Sequence, residues 1–361
     1  MAVSQLLVNN FRNLHSANID FHPDLNFIIG DNGSGKSSLL EALFFLGHGK
    51  SFRTSRSENL ITCFKTNFVI SVKTNNDCRL GVERNVSHVS KIKIDGQLVD
   101  KLSILAQNIA VQIVTPESFK LFFGGPKERR RFIDLGLFHV KPMFQSLWKQ
   151  FNSILKQRNA CLKRGIRNEQ SIYWTKQFVI ASEHIAQVRS EYITELNNEL
   201  LVWLKFLLPR FFDNVVITYL QGWSAQKKLE LVLRDNIDRE YHRGFSLYGC
   251  HKFDVKFTVD KLSIEEMFSR GQQKLFLLAL TFAQAQLIKK VNRVKPIILI
   301  DDIGAELDLN SRKAFAEAHL HLDSQTFITA IDKLALEPLV PDDNNYKMFH
   351  VEHGQISAIG E

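Results

Sequence analysis

An apolar run over residues 25–29 ends at Gly30, from which the chain reads Gly-Asp-Asn-Gly-Ser-Gly-Lys-Ser and passes directly into helix formers that stop at Gly47. Strand, glycine-rich turn and helix, in that order, are the setting in which G-x-x-x-x-G-K-[ST] builds a phosphate cradle. Glycines let backbone N–H groups turn inward and the helix N-terminus adds its positive end, while Lys36 reaches the β and γ phosphates and the Ser37 hydroxyl binds Mg2+. ATP with Mg2+ is therefore the expected ligand, held by Gly30, Asp31, Asn32, Gly33, Ser34, Gly35, Lys36, Ser37 and Ser38. A motif of this kind also constrains the fold, to an α/β class with a largely parallel sheet.

The rest of the chain fits that class. Residues 67–115 hold alternating or β-branched stretches (68–72, 91–94, 110–114) around an Asp95-Gly96 turn, a sheet-rich part of the first lobe. From 127 to 208 the pattern changes to long helices. Trp174, Phe178, Ala181, Ile185, Val188 and Tyr192 recur at steps of four and three, the a/d spacing of a helix packed on a partner helix. A helix over 143–164 could be that partner in an antiparallel arm; the alternative is an amphipathic helix lying on the main core. Strands are expected at 215–219, 229–233 and 255–259. Beyond them come a helix over 272–290, strands at 296–300 and 326–330 with a helix between, and a terminal hairpin turning at His353-Gly354. The boundaries that follow are 1–126 and 211–361 for two parts of one nucleotide-binding head, and 127–210 for a helical insertion. With 361 residues, two lobes or a core plus an insertion is the default.

Two further segments carry chemistry. Residues 297–302 form an apolar strand ending in Asp301 and Asp302. Beside a P-loop, Asp301 would hold the metal and Asp302 would orient the attacking water as general base, its short reach predicting slow hydrolysis. Ser269-Arg270-Gly271-Gln272 opens a helix, where a serine is an N-cap and free N–H groups face an anion.

A P-loop, then S-x-G-Q, then an apolar strand with two aspartates is the order of the ABC-type ATPases. More specifically, the chain resembles the RecF family of bacterial recombination and repair proteins. Matching residues are Asn10-Phe11-Arg12-Asn13, the P-loop, Leu46-Gly47-His48-Gly49-Lys50-Ser51-Phe52-Arg53 and Thr115-Pro116-Glu117. They continue with Gly124-Gly125-Pro126-Lys127 leading into Arg129-Arg130-Arg131, then His251-Lys252-Phe253-Asp254, Ser269 to Lys274, and Ile300 to Asp308. The resemblance implies an ABC-type ATPase head, a mixed sheet flanked by helices with an inserted α-helical lobe. It also implies head-to-tail homodimerisation on ATP, with Ser269 of one subunit capping the γ-phosphate held by Lys36 of the other. Gln112 looks like the glutamine that senses Mg2+ and γ-phosphate, Ala305-Glu306-Leu307-Asp308 resembles the loop crossing the dimer interface, and Arg12 with Asn13 is placed like residues beside the adenine. Two positions depart from the pattern. Thr329-Ala330-Ile331-Asp332 offers no switch histidine, and Cys250 stands where a proline is usual before His251.

The net charge of +8 has the sign that favours an anionic partner. Basic stretches at 127–131 and 156–167 would touch phosphates without reading bases, or else be solvated faces. With the resemblance they become DNA contacts, Lys127, Arg129, Arg130, Lys156, Lys163 and Arg164 being the candidates, on single-stranded, gapped or duplex DNA. The family further implies recombination mediator proteins as partners, help in loading a recombinase at gaps, and support of replication restart and SOS induction. The four cysteines form no C-x-x-C pair, and residues 1–11 read as a strand and not a signal peptide. No apolar run of about 18 residues exists, so a cytoplasmic protein that does not span a membrane is expected. An SMC-like bridging protein would need long heptad arms, and a transporter subunit or a P-loop kinase would leave the basic arm or Ser269 without a purpose.

Overall fold

Helix α1 (Lys36–His48) has Glu41 as its one polar residue between Leu39 and Leu46, and a helix apolar on every side must be covered on every side. The computed structural model describes residues 2–54, 56–87, 89–100, 104–105, 108–292, 295–303, 307–341 and 345–359. In it α1 packs against two sheets and shares one apolar core with both. The first sheet has the order β15-β14-β3-β13-β12-β8. Its strands are β3 (Leu25–Ile29), β8 (Val111–Val114), β12 (Ile297–Ile300), β13 (Gln325–Ala330), β14 (Lys347–Glu352) and β15 (Gln355–Ala358). All neighbours run parallel except the terminal β14–β15 hairpin, which turns on His353 and Gly354, both at positive φ. Residues Ile297 to Ile300 are fully buried, as a central parallel strand requires.

The second sheet is antiparallel throughout, in the order β2-β1-β4-β5-β6-β7. It comprises β1 (Val3–Phe11), β2 (Leu14–Asp20), β4 (Asn67–Thr74), β5 (Arg79–Asn85), β6 (Ser90–Ile94) and β7 (Gln97–Val99). Phe11, Phe45 and Phe68 join it to α1 through edge-on ring contacts. A mixed sheet and an antiparallel sheet flanked by helices are the ABC-type head that the sequence leads one to expect.

Contacts divide the chain into two units: Met1–Phe119, Trp203–Pro209 and Ser269–Glu361 form the first, Lys120–Val202 and Arg210–Phe268 the second. The first also contains α7 (Arg270–Asn292) and α8 (Leu309–Leu320). In the second, α2 (Pro126–Val140), α3 (Phe144–Lys163) and the part of α4 (Glu169–Leu207) up to Val202 accompany a three-stranded antiparallel sheet β11-β10-β9. Helices α3 and α4 run antiparallel: Arg158 Nε donates to Thr175 Oγ1 and Phe151 meets Phe178, while Leu147 and His184 line the far end of a cavity between them.

The second unit is larger than the helical segment expected over 127–210, because β9 (Val215–Leu220), β10 (Asp254–Val259) and β11 (Leu262–Ser263) belong to it. Arg129 on α2 grips Asp254 on β10 with both arms of its fork, at 2.8 and 2.9 Å. The strand expected over 229–233 is a helix, α5 (Leu229–Asp235), followed by α6 (Ile237–Arg243). Leu229, Val232 and Leu233 are its buried residues, an i, i+3, i+4 spacing that outweighs the β-type composition. Among the described residues no helix is long and apolar enough to cross a membrane.

Candidate nucleotide-binding cleft

At the C-terminal end of β3, in the first unit, a cleft of about 600 Å3 is lined by P-loop residues together with Arg12, Asn13, Arg53, Asn59, Asp301, Asp302 and Thr329. That volume falls within the range of small-ligand pockets. The loop closes tightly on the hairpin. A Cβ on Gly30, whose φ is +149°, would lie 2.2 Å from the Val351 carbonyl oxygen, and Gly35 has φ +126° beside Asn13. Only glycine satisfies both demands. Lys36 is nearly buried, and its Nζ donates to the carbonyls of Gly30 at 2.5 Å and Asp31 at 2.9 Å. Burial draws its pKa below the ordinary lysine value, against the opposing pull of Asp301, Asp302 and Asp31.

The carboxylates arrive from β12, which β13 separates from β3. Thr329 on that intervening strand closes the gap. Its Oγ1 donates to Asp301 Oδ1 at 2.8 Å and accepts the Asp302 N–H at 2.8 Å. Asp301 in turn accepts from Ser37 Oγ at 3.2 Å, so a hydroxyl and a carboxylate stand side by side. Both are hard oxygen donors of the kind Mg2+ takes, and the residues present therefore fit that ion. Asp302 lines the cleft with φ +56°, a left-handed conformation that costs an aspartate ~1–3 kcal/mol unless its surroundings impose it. Thr329, near the end of β13, thus contacts both aspartates.

Arg12 and Asn13 form the turn between β1 and β2. Arg12 gives both arms of its fork to Glu41, the fully buried acid of α1, at 2.8 and 2.9 Å, and Ser51 Oγ donates to the same carboxylate. Asn13 accepts from Ser38 Oγ at 2.7 Å and donates to the carbonyls of Gly33 and Ser34. Both residues line the cleft, but their polar groups also fasten the hairpin to the P-loop helix. Glu41 is missed by motif reading, although a lone carboxylate inside an apolar helix is a signal of a buried partner.

The match of the sequence to the model of the RecF/RecN/SMC N-terminal domain covers residues 2–357. The DNA replication and repair protein RecF of Colwellia psychrerythraea is 58% identical over 99% of this chain and 98% of that protein. RecF of Pseudoalteromonas translucida is 40% identical over 99% of each. The chain belongs to the RecF family. Its fold matches a solved structure of the recombination mediator protein RecF–ATP in the RecFOR pathway, with TM-score 0.85 at 24% identity over 99% of this chain and 98% of that one. An Smc head domain from Pyrococcus furiosus matches at TM-score 0.57 and 16% identity, over 99% and 96%. Both likenesses concern the fold.

Other expected site residues of this RecF-family chain are placed differently. Ser269 is exposed, does not line the cleft, and forms a capping box in which its Oγ accepts from Gln272 N at 3.3 Å while Gln272 Oε1 accepts from Ser269 N at 2.9 Å. Gln112 is not brought to the cleft. It pairs in register with Ile298, three residues before the level of Asp301 and so about 10 Å short of it at the rise of a strand. Val111 belongs to the core around α1, so alternation turns Gln112 to the opposite face of the sheet; Pro116 lines the cleft instead. Ala305 and Glu306 lie outside the described residues, and Asp308 is the N-cap of α8, accepting from Ser311 N at 2.7 Å.

In the second unit, the basic candidates divide. Lys127, Lys156, Lys163 and Arg164 are exposed. Arg129 is not a free cation, since besides Asp254 it donates to the carbonyls of Leu121, Phe122 and Gly124. Arg130 is half-buried and donates to the Phe253 carbonyl at 3.0 Å. Arg158, within the second basic stretch, is buried in an ion pair with Glu240 at 2.6 Å. Charge along the chain could not separate these, because the pairings of Arg129 with Asp254, Arg130 with Phe253 and Arg158 with Glu240 close across 125, 123 and 82 residues.

Proposed function

We propose that this chain is an ATP-dependent DNA-binding switch of recombinational repair and replication. One observation carries the reading: Lys36, Ser37, Asp301 and Asp302 converge on one cleft, whereas the exposed helix cap Ser269 stands outside it. Among the described residues the cleft has its cradle and carboxylates but no signature serine, which makes it half a site, and a second copy meeting it head to tail supplies Ser269. In this reading Lys36 leaves the carbonyls of Gly30 and Asp31 for the β and γ phosphates, Ser37 and Asp301 hold the ion, and Asp302 orients the attacking water. A bound Mg2+ supplies neutralisation of the phosphate charge. Arg12 and Asn13 border the adenine end. The relatives named for DNA replication and repair, and the RecF of the RecFOR pathway, support DNA and recombination mediator proteins as partners. Hydrolysis is slow and serves release, the closed dimer helps recombinase loading at single-strand gaps and SOS induction, and the place of work is the cytoplasm.

Exposed Lys127, Lys156, Lys163 and Arg164 are the cations left for DNA phosphates, with affinity expected to fall tenfold or more between roughly 50 and 200 mM salt. The reading is tested by light scattering on the full chain, which should double in mass on adding ATP and Mg2+. A chain that remains monomeric with bound nucleotide contradicts it.

A further inference from the structure

Lys274 is almost fully buried, yet its ammonium is directed at a backbone carbonyl in the cleft wall: Nζ donates to the Asp302 oxygen at 2.7 Å. The N–H of Asp302 donates to Thr329 Oγ1 at 2.8 Å. Asp302 is therefore gripped at both of its backbone polar groups, by β13 on one side and by α7 on the other, while its own φ stays at +56°. Left-handed backbone at an aspartate persists where neighbours over-determine it, and these two hydrogen bonds are that determination. Lys274 lies five positions after Ser269 and inside the first turns of α7, and Gln273 N donates to the Ser269 carbonyl at 2.8 Å, so the cap and the lysine are parts of one rigid helical end about 7 Å long.

We infer that Lys274 is a positioning residue for hydrolysis: it ties the turn bearing Asp302 to the exposed end of α7, so that a load on Ser269 is transmitted to the Asp302 carboxylate. This rests on the proposal that Ser269 meets the nucleotide of a second copy. Docking of that copy then does two things at once. It completes the γ-phosphate contact in one site and sets the water-orienting carboxylate in the other. A helix that caps a partner's phosphate without such a link would hold the dimer closed but leave the hydrolysis rate indifferent to dimer geometry.

Full-length Lys274→Met and Lys274→Arg test the link, with nucleotide affinity, ATP-dependent light scattering and steady-state hydrolysis read on each. Lys274→Met should bind ATP and dimerise within about threefold of the parent, with kcat lowered about tenfold or more and KM little changed. Lys274→Arg, which can donate to the same carbonyl, should regain most of the rate. Thr329→Val removes the opposite grip and should lower kcat in the same manner. A Lys274→Met chain that dimerises and keeps kcat within about twofold overturns the link and leaves the ATP-switch reading standing. Loss of nucleotide binding and folding in Lys274→Met, with Thr329→Val unaffected in kcat, also overturns it. A parent chain that binds ATP without dimerising sinks the switch reading first.

Discussion

The second unit and the nucleotide cleft of the first use charge in opposite ways. In the second, arginines are internal struts: Arg158 with Glu240 at side-chain exposures of 1% and 0%, Arg189 with Asp134, and Arg129 with Asp254 each occupy one another's hydrogen-bonding groups. Arg189 in addition lies over the ring of Phe253, 3.8 Å from its centre. In the first, Lys36, Ser37, Asp301 and Asp302 gather around open volume, and the ammonium of Lys36 rests on two loop carbonyls. A charge engaged on all sides stabilises a fold, whereas a charge resting on weak partners beside a cavity is available to a ligand. The difference separates the residues that build this molecule from those that operate it.

The contrast can be broken by substitution. Lys36→Arg should abolish ATP-dependent dimerisation while leaving the thermal midpoint near that of the parent; scattering and calorimetry on one sample decide it. Asp301→Asn should bind ATP with little change yet stop turnover, seen as nucleotide retained without phosphate release. Arg158→Met, by contrast, leaves Glu240 charged and unpaired in the interior and should cost about 3–5 kcal/mol of stability. Denaturant unfolding would show that loss, and equal stability of Arg158→Met and parent would break the distinction between struts and working charges. Removing three exposed cations together, by Lys127→Ala, Lys156→Ala and Lys163→Ala, should flatten the salt dependence of DNA binding without altering stability, each phosphate contact being worth about one unit of slope.

The smallest effect is on pH. His139 and His251 in the second unit and His319 in the first have their pKa lowered by burial from 6.5 to about 4. The unfolded chain takes up these protons first. Stability that is full above pH 6.5 should therefore decline as pH falls toward 4, in a melting series, and a flat series over that window would contradict neutral buried rings.

Much of the first unit was legible because its signals are local. The P-loop needs only contiguous residues, and the apolar strand ending in Asp301 announces itself by composition. Thr329 was not legible as a bridge, since its role depends on β13 standing between β3 and β12, a fact of strand order. Gln112 misled for a related reason: a glutamine near a strand end in sequence is three residues from the end in register, and alternation then decides the face. In the second unit Lys127 and Arg129 stand two residues apart in the basic stretch on α2, yet only Arg129 grips Asp254. Leu229, Val232 and Leu233 show the local side of the same lesson, since a short β-like composition yielded to helical spacing of the buried positions.

Complementation between two inactive variants tests the half-site account most directly. Lys36→Arg and Ser269→Arg should each be inactive alone in ATP hydrolysis with DNA present. Mixed in equal amounts, they form heterodimers in which one of the two sites has an intact Lys36 from one copy and an intact Ser269 from the other; since neither variant closes a dimer with itself, hydrolysis should return to about half of the parent rate. If Ser269 served the cleft of its own copy, no pairing could restore a complete site, and a mixture as inactive as its components would contradict the account.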